Sequence, residues 1–145
     1  MKLVDANVLL YAVNSDSKNH ESARTWLDGG LVGDEVIGLP WVCLLAFARL
    51  ATHRTIFPAP MTTDQALNQV EEWLSAPAAT ECLPGARHIS LLRQTLNACG
   101  GSGNLVNDAH LAALALEHKA TIVTYNTDFV RFPDVPWRTP DQLVT

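Results

Sequence analysis

Short apolar runs recur along this sequence, and most are followed by a stretch with helical periodicity. Residues 2–4 (KLV) read as a buried strand, 35–39 as a second, 80–83 as an edge-like third and 121–124 as a fourth. Between them lie helical patterns with recognisable starts. Ser17 is placed to cap a helix over 18–27, with Ala23, Trp26 and Leu27 inward and Gly29–Gly30 to stop it. Pro40 opens a helix to about His53, with Trp41, Leu44, Leu45 and Ala48 on its inner face. Thr62 with Gln65 has the form of a capping box, predicting a helix to about Leu74. Pro84–Gly85 turns the chain into a helix over 87–97, CGGSGN is a loop, and Asn107 caps a helix over 108–118. Residues 6–13 fit either more strand or a helical turn. The tail, with Pro133, Pro136 and Pro140, reads as irregular apart from one short strand near Trp137. Strands that alternate with helices predict an α/β fold: a central, mostly parallel sheet flanked by helices on both faces. In such sheets, sites form beyond the carboxyl ends of the strands.

At 145 residues the chain suits one domain, 1–145, with a real core. No run of eighteen apolar residues exists to span a bilayer. The start has neither the charge step nor the cleavage site of a signal peptide. Cys43, Cys82 and Cys99 are odd in number and widely spaced, and the first two sit in apolar runs as buried thiols. A reducing cytoplasm is the simplest home. Charged residues are only 17%, so either much of the surface is neutral or a partner covers part of it. Four Trp residues allow an apolar interface, and Trp73 and Trp137 are expected to be the least internal of them. The net charge of −5 lacks the basic excess of a tight nucleic-acid binder, unless the negative charge gathers where a metal offsets it.

Three segments carry polar residues to the predicted strand ends. Asp5 follows the first strand directly, where a carboxylate is costly without a donor or a cation. It reads as a helix cap or as a metal ligand. Asp108 opens a helix, where the dipole alone would favour it. Asn126 and Asp128 follow the last strand and read singly as turn formers. Carboxylates from three remote segments converging on one sheet edge require a cation or raised pKa values. His53, His88 and His110 are isolated in sequence and show no zinc spacing, and His110 reads as a surface residue.

With these residues in place, the chain resembles the PIN-domain family, most closely the toxin ribonucleases of bacterial VapBC toxin–antitoxin pairs. LVDANVLLYAV resembles the first acidic motif, LPWVCLLAFARLATHR the second region, GNLVNDAHLAALALEHKATIVTYNTDF the third and fourth, and RFPDVPWRTP the usual tail. The resemblance implies a single three-layer α/β/α PIN-like domain. It implies metal ligation by Asp5, Asp108 and Asp128, with Asn126 completing the catalytic set, and Mg²⁺ or Mn²⁺ as the cofactor. It implies RNA as substrate, a small cognate antitoxin as partner, and a homodimer within that complex. Two positions depart from the pattern: Ala46 stands where members commonly carry Glu, and Asn126 where the closing motif often has an acid. An Asn still ligates through its carbonyl but adds no charge. A catalytically weakened PIN-like binding protein is the alternative reading, and a small phosphomonoester hydrolase a third. Arg49 and His53, four apart on the second-region helix, are candidates with Arg54 to meet the RNA backbone.

Overall fold

The structure, a computed structural model, describes residues 1–101 and 103–144. Ser102 of the CGGSGN loop, and Thr145, lie outside the described residues. Five strands form one sheet in the order β3-β2-β1-β4-β5: β1 Lys2–Val4, β2 Ile37–Leu39, β3 Ala79–Glu81, β4 Thr121–Val123 and β5 Trp137–Arg138. Every pairing is parallel, so the sheet is wholly rather than mostly parallel. The central strands are apolar on both faces, as a covered parallel sheet requires: Leu3, Val4, Ile37, Leu39, Ile122 and Val123 are all buried.

The chain steps from β1 to β2 to β3 through α1 (Ala6–Val13), α2 (His20–Leu31), α3 (Trp41–Ala51) and α4 (Thr63–Leu74). It then crosses back to β4 through α5 (His88–Cys99) and α6 (Val106–His118). Right-handed crossovers in opposite directions put the first four helices on one face and the next two on the other. That is the expected three-layer α/β/α arrangement. The direction reverses between β1 and β4, so the carboxyl ends of these two strands flank the topological switch point.

Local chemistry sets several element ends. Asp5 is the N-cap of α1, which settles residues 6–13 as helix. Thr62 and Gln65 form the expected capping box. A second box, Thr139 with Gln142, opens a short α7 (Pro140–Leu143) in the tail read as irregular. Other ends differ from expectation. Ser17 lies in the preceding turn, where its hydroxyl accepts from the Asn19 amide, and α2 starts at His20. The helix runs through Gly29 and Gly30 to Leu31, which is buried. A Cβ on Gly30 would stand 3.3 Å from Ile37 Cδ1, so the glycine lets α2 lie close to β2 rather than ending it. Helix α6 begins at Val106, so Asn107 occupies its first turn instead of capping it.

Burial corrects three side-chain assignments. The inner face of α3 is Cys43, Leu44, Phe47 and Ala51, with Phe47 edge-on to Trp73 at 4.8 Å. Trp41 and Leu45, expected inside, are 39% and 62% exposed. Trp73, expected near the surface, is only 4% exposed.

Candidate functional site

Asp5 leaves β1 at the switch point, where its amide donates to the Val123 carbonyl at 3.0 Å. Its carboxylate is held on both oxygens. Oδ1 accepts from the Ala6 amide at 2.7 Å, and the Cys43 thiol stands 3.8 Å away. Oδ2 accepts from the Thr124 hydroxyl at 2.8 Å and the Asn7 amide group at 3.2 Å. Burial pushes the Asp5 pKa above the ordinary carboxylate value, and the Thr124, Ala6, Cys43 and Asn7 hydrogen bonds only partly restore it. The cap and ligand readings of Asp5 are therefore compatible: one oxygen caps α1 and the other is oriented by β4.

Asp108 reaches the same edge from the first turn of α6. Its pKa is raised by burial first, then by the negative charges of Asp5 and Asp128, while the Asn126 amide lowers it from 3.4 Å. Asp108 therefore feels the charges of both Asp5 and Asp128. Asn126 is the link. Its backbone amide donates to Thr124 Oγ1 at 2.9 Å, and its side-chain oxygen accepts from the Asp128 amide at 3.0 Å. Asp128 itself is exposed, in the 3-10 turn Thr127–Arg131.

Thr124, Asn7 and Cys43 were not singled out by the sequence reading as site residues. Thr124 is fully buried, and its single hydroxyl serves Asp5, Asn7 and Asn126 together. Asn7 also accepts the Tyr125 amide at 3.0 Å, tying α1 to the segment after β4. The available signal was a hydroxyl ending an otherwise apolar strand, TIVT, in line with D-A-N at the end of the neighbouring one. Cys43 lies against the Asp5 carboxylate, and burial, followed by the Asp5 charge, pushes its thiol well above the usual range. It is the α3 side chain that touches Asp5, one turn before Ala46.

The expected basic contacts are not gathered here. Arg49 is exposed on α3, while His53 lies beyond the helix end, where its Nδ1 accepts from the Thr55 amide. With a helical rise of 1.5 Å per residue, Arg49 is displaced from Cys43 by roughly 9 Å along the axis. The histidines taken as isolated are not all so. His88 Nε2 and His110 Nδ1 are 2.8 Å apart between α5 and α6, and His110 is half-buried rather than a surface residue.

The donor set can be tested against a metal. Among the described residues the ion pairs are Lys2 and the N-terminus with Glu35, and Arg24 with Asp28, so no cation neutralises the three aspartates. No three His, Cys, Asp or Glu side chains among the described residues stand close enough to enclose an ion. What remains is two half-buried carboxylates, a third that is exposed, and an amide. That set is all oxygen and incomplete, which fits a hard ion such as Mg²⁺ that keeps several waters and takes one or two carboxylates. It does not fit a closed zinc site. A cavity of about 650 Å³ lies elsewhere, between α1, α2 and α4, lined by Val13, His20, Leu31, Met61 and Trp73.

Comparisons with known proteins agree with this geometry. The family model described as PIN domain matches residues 2–135. Ribonuclease VapC37 of Mycobacterium tuberculosis is 52% identical over 144 residues, covering 99% of this chain and 100% of that protein. Ribonuclease VapC43 of the same species is 40% identical over 140 residues, covering 97% and 95%. Among solved structures, VapBC2 from Rickettsia felis, bound to a DNA fragment from its promoter, aligns with a TM-score of 0.65 at 22% identity, covering 95% of this chain and 97% of that one. VapBC-1 from nontypeable Haemophilus influenzae aligns with a TM-score of 0.66 at 19% identity, covering 97% and 98%. An all-parallel sheet with paired carboxylates at its switch point, a family match over nearly the whole chain and full-length relatives lead to one assignment: the chain belongs to the PIN-domain family, within its VapC group.

Proposed function

We propose that this protein is a divalent-metal-dependent endoribonuclease, the toxin of a type II toxin–antitoxin pair. The observation that carries the proposal is the pair Asp5 and Asp108: half-buried, with the Asp5 charge raising the Asp108 pKa, oriented by Thr124 and Asn126, and without a cationic partner among the described residues. Ribonuclease in the names of the full-length relatives supports the reaction class. Asp5 and Asp108 would hold Mg²⁺ or Mn²⁺, with Asp128 as the outer acid. When bound, such an ion supplies an acidified water and positive charge opposite the scissile phosphate. The chain's own part is orientation. Thr124 and Asn7 fix the Asp5 carboxylate, and Asn126 turns Asp108 toward it while anchoring the Asp128 backbone.

A small antitoxin as partner is supported by the solved VapBC complexes that share the fold, and the groove between α1, α2 and α4 offers apolar area for one. A homodimer within that complex and a cytoplasmic setting belong to the same reading. No helix of the described residues is long and apolar enough to cross a membrane. The second reading, a weakened PIN-like binder, draws support from Ala46 and from the lack of a three-carboxylate cluster. One assay separates the two: antitoxin-free protein incubated with structured RNA. Cleavage with Mg²⁺ or Mn²⁺ that stops with EDTA supports the enzyme, cleavage indifferent to EDTA removes the metal, and binding without cleavage leaves the binder. Turnover of a simple phosphomonoester instead would favour a small-molecule hydrolase.

A further inference from the structure

We infer that the outer face of α3 is a stacking platform for a single-stranded RNA base, with Trp41 as the stacking ring and Arg49 and Arg54 holding the adjoining backbone. The inference rests on the ribonuclease reading and adds a binding surface to it. Trp41, Leu45 and Arg49 follow one another at four-residue spacing, so they form a single stripe along α3, opposite the buried face of Cys43, Leu44 and Phe47. Trp26 and Trp73 are buried and Trp137 is half-buried, which leaves Trp41 as the accessible indole.

The charge around the stripe favours RNA as its occupant. The chain carries 15 acidic residues against 10 Lys and Arg, yet residues 36–63 contain no Asp or Glu. Arg49, His53 and Arg54 all fall in that stretch, and neither arginine has an acidic partner among the described residues. An uncompensated basic strip on an acidic protein matches a polyanion. An aromatic ring with arginine beside it is the chemistry that holds unpaired bases and their phosphates. A second acid-free stretch, 82–107, also leads into the site, at Asp108, but it contains no Trp, so the ring and the basic residues occur together only in 36–63. Cys43, two residues after Trp41, contacts Asp5. The Cα path between the two is at most about 7.6 Å, so the backbone of Trp41 lies close to the site while its ring is on the outer face of α3. A base stacked there leaves the neighbouring phosphodiester to pass over the end of α3 toward Asp5.

The test uses the full chain carrying Asp108→Asn, so that RNA is bound without being cut, and a mixed-sequence single-stranded decaribonucleotide as the probe. Indole fluorescence should fall as the RNA is added. Trp41→Phe should abolish that quench, and an exposed ring replaced by a smaller ring leaves the fold intact, which a thermal melt confirms. Trp41→Ala should bind the decamer roughly 5- to 150-fold more weakly, the range for one lost stacked base. A decamer of the same length with abasic sugars should bind Trp41→Ala and the parent alike. Arg49→Gln and Arg54→Gln should each flatten the salt dependence of log K by about 0.7. Quenching that survives Trp41→Phe, or an unchanged affinity of Trp41→Ala, overturns the platform. So does a Trp41→Ala variant whose only change is in self-association by sedimentation velocity, because the stripe would then face another copy of the chain. Wild-type protein that binds with Trp41-dependent quenching but never cleaves sinks the enzyme reading and leaves the platform standing. Cleavage with no Trp41 dependence of binding does the reverse.

Discussion

Asp108→Asn removes one charge from the candidate site while keeping the shape of the side chain, so it separates electrostatics from packing. Without metal, the charged form of Asp108 is opposed by burial and by the charges of Asp5 and Asp128, all of which raise its pKa. A raised folded pKa means that the folded chain holds its proton where the unfolded chain has lost it. The stability this gives is full below the unfolded value near 3.8 and is lost as pH rises through the folded pKa. In EDTA at pH 7, Asp108→Asn should therefore melt at or above the wild type, and its advantage should shrink toward pH 4. Loss of the favourable charge at the start of α6 opposes this by about 0.3–1 kcal/mol. Metal reverses the order. A ligand of the folded state alone adds roughly 2.7 kcal/mol at a hundred times its Kd. With 145 residues and an unfolding entropy of about 2.1 cal/mol/K per residue, that is an upward shift of roughly 9 °C. Wild type and the exposed control Asp64→Asn should show it as Mn²⁺ rises, and Asp108→Asn should show little. Asp5→Asn should also lose the response and melt lower from the outset. Its amide would turn a donor toward Thr124 and Asn7, which now donate to Oδ2. The assay is a thermal melt of the four proteins at fixed ionic strength, with Mn²⁺ or EDTA. Equal Mn²⁺ gains in all four would refute a metal site shared by Asp5 and Asp108.

Three further substitutions test the surroundings. Thr124→Val keeps the shape but removes the hydroxyl that serves Asp5 and Asn126, and should weaken Mn²⁺ binding by about 10- to 100-fold in calorimetric titration; unchanged affinity would reduce Thr124 to a core residue. Ala46→Glu adds a carboxylate one turn beyond Cys43 and should tighten Mn²⁺ by about tenfold, or 1.4 kcal/mol; equal or weaker binding would show that position 46 faces away. Gly38→Ala sets a Cβ 2.6 Å from Leu3 Cδ2 and 3.4 Å from Cys82 Cβ. It should cost about 1–3 kcal/mol, or roughly 3–10 °C, and an unaltered melt would mean that β1 yields there freely.

Sequence logic succeeded where the deciding chemistry is local. The Thr62–Gln65 box is four residues of self-contained hydrogen bonding, and it stands as read. Asp5 was conspicuous because a charge at the end of a buried strand needs a reason. The logic failed where a distant partner decides. Which stripe of α3 turns inward depends on Trp73, from another helix, meeting Phe47, and no count along α3 reveals that Trp41 and Leu45 lose the contest. Gly29–Gly30 looked like a stop because the close approach of Ile37 is invisible from within α2. The His88–His110 contact and the role of Thr124 are likewise relations between segments. The carboxylates could be found one at a time, whereas the groups that aim them become visible only with the strands side by side.

The bond between Thr124 and Asp5 joins residues 119 positions apart. During synthesis, β1 leaves the ribosome early and has β2 beside it long before β4 exists. A nascent chain that has reached His118 already holds Asp5 and Asp108, but not the hydroxyl that orients the first or the Asn126 amide that turns the second. The candidate site therefore comes together only when the last stretch of the polypeptide inserts β4 beside β1. A chain that stalls or is clipped short of that point lacks Thr124 and Asn126, the groups that hold Asp5 and Asp108 in place. In a cell making both partners, the interval between the first aspartate and the final strand is time in which an antitoxin can already be waiting.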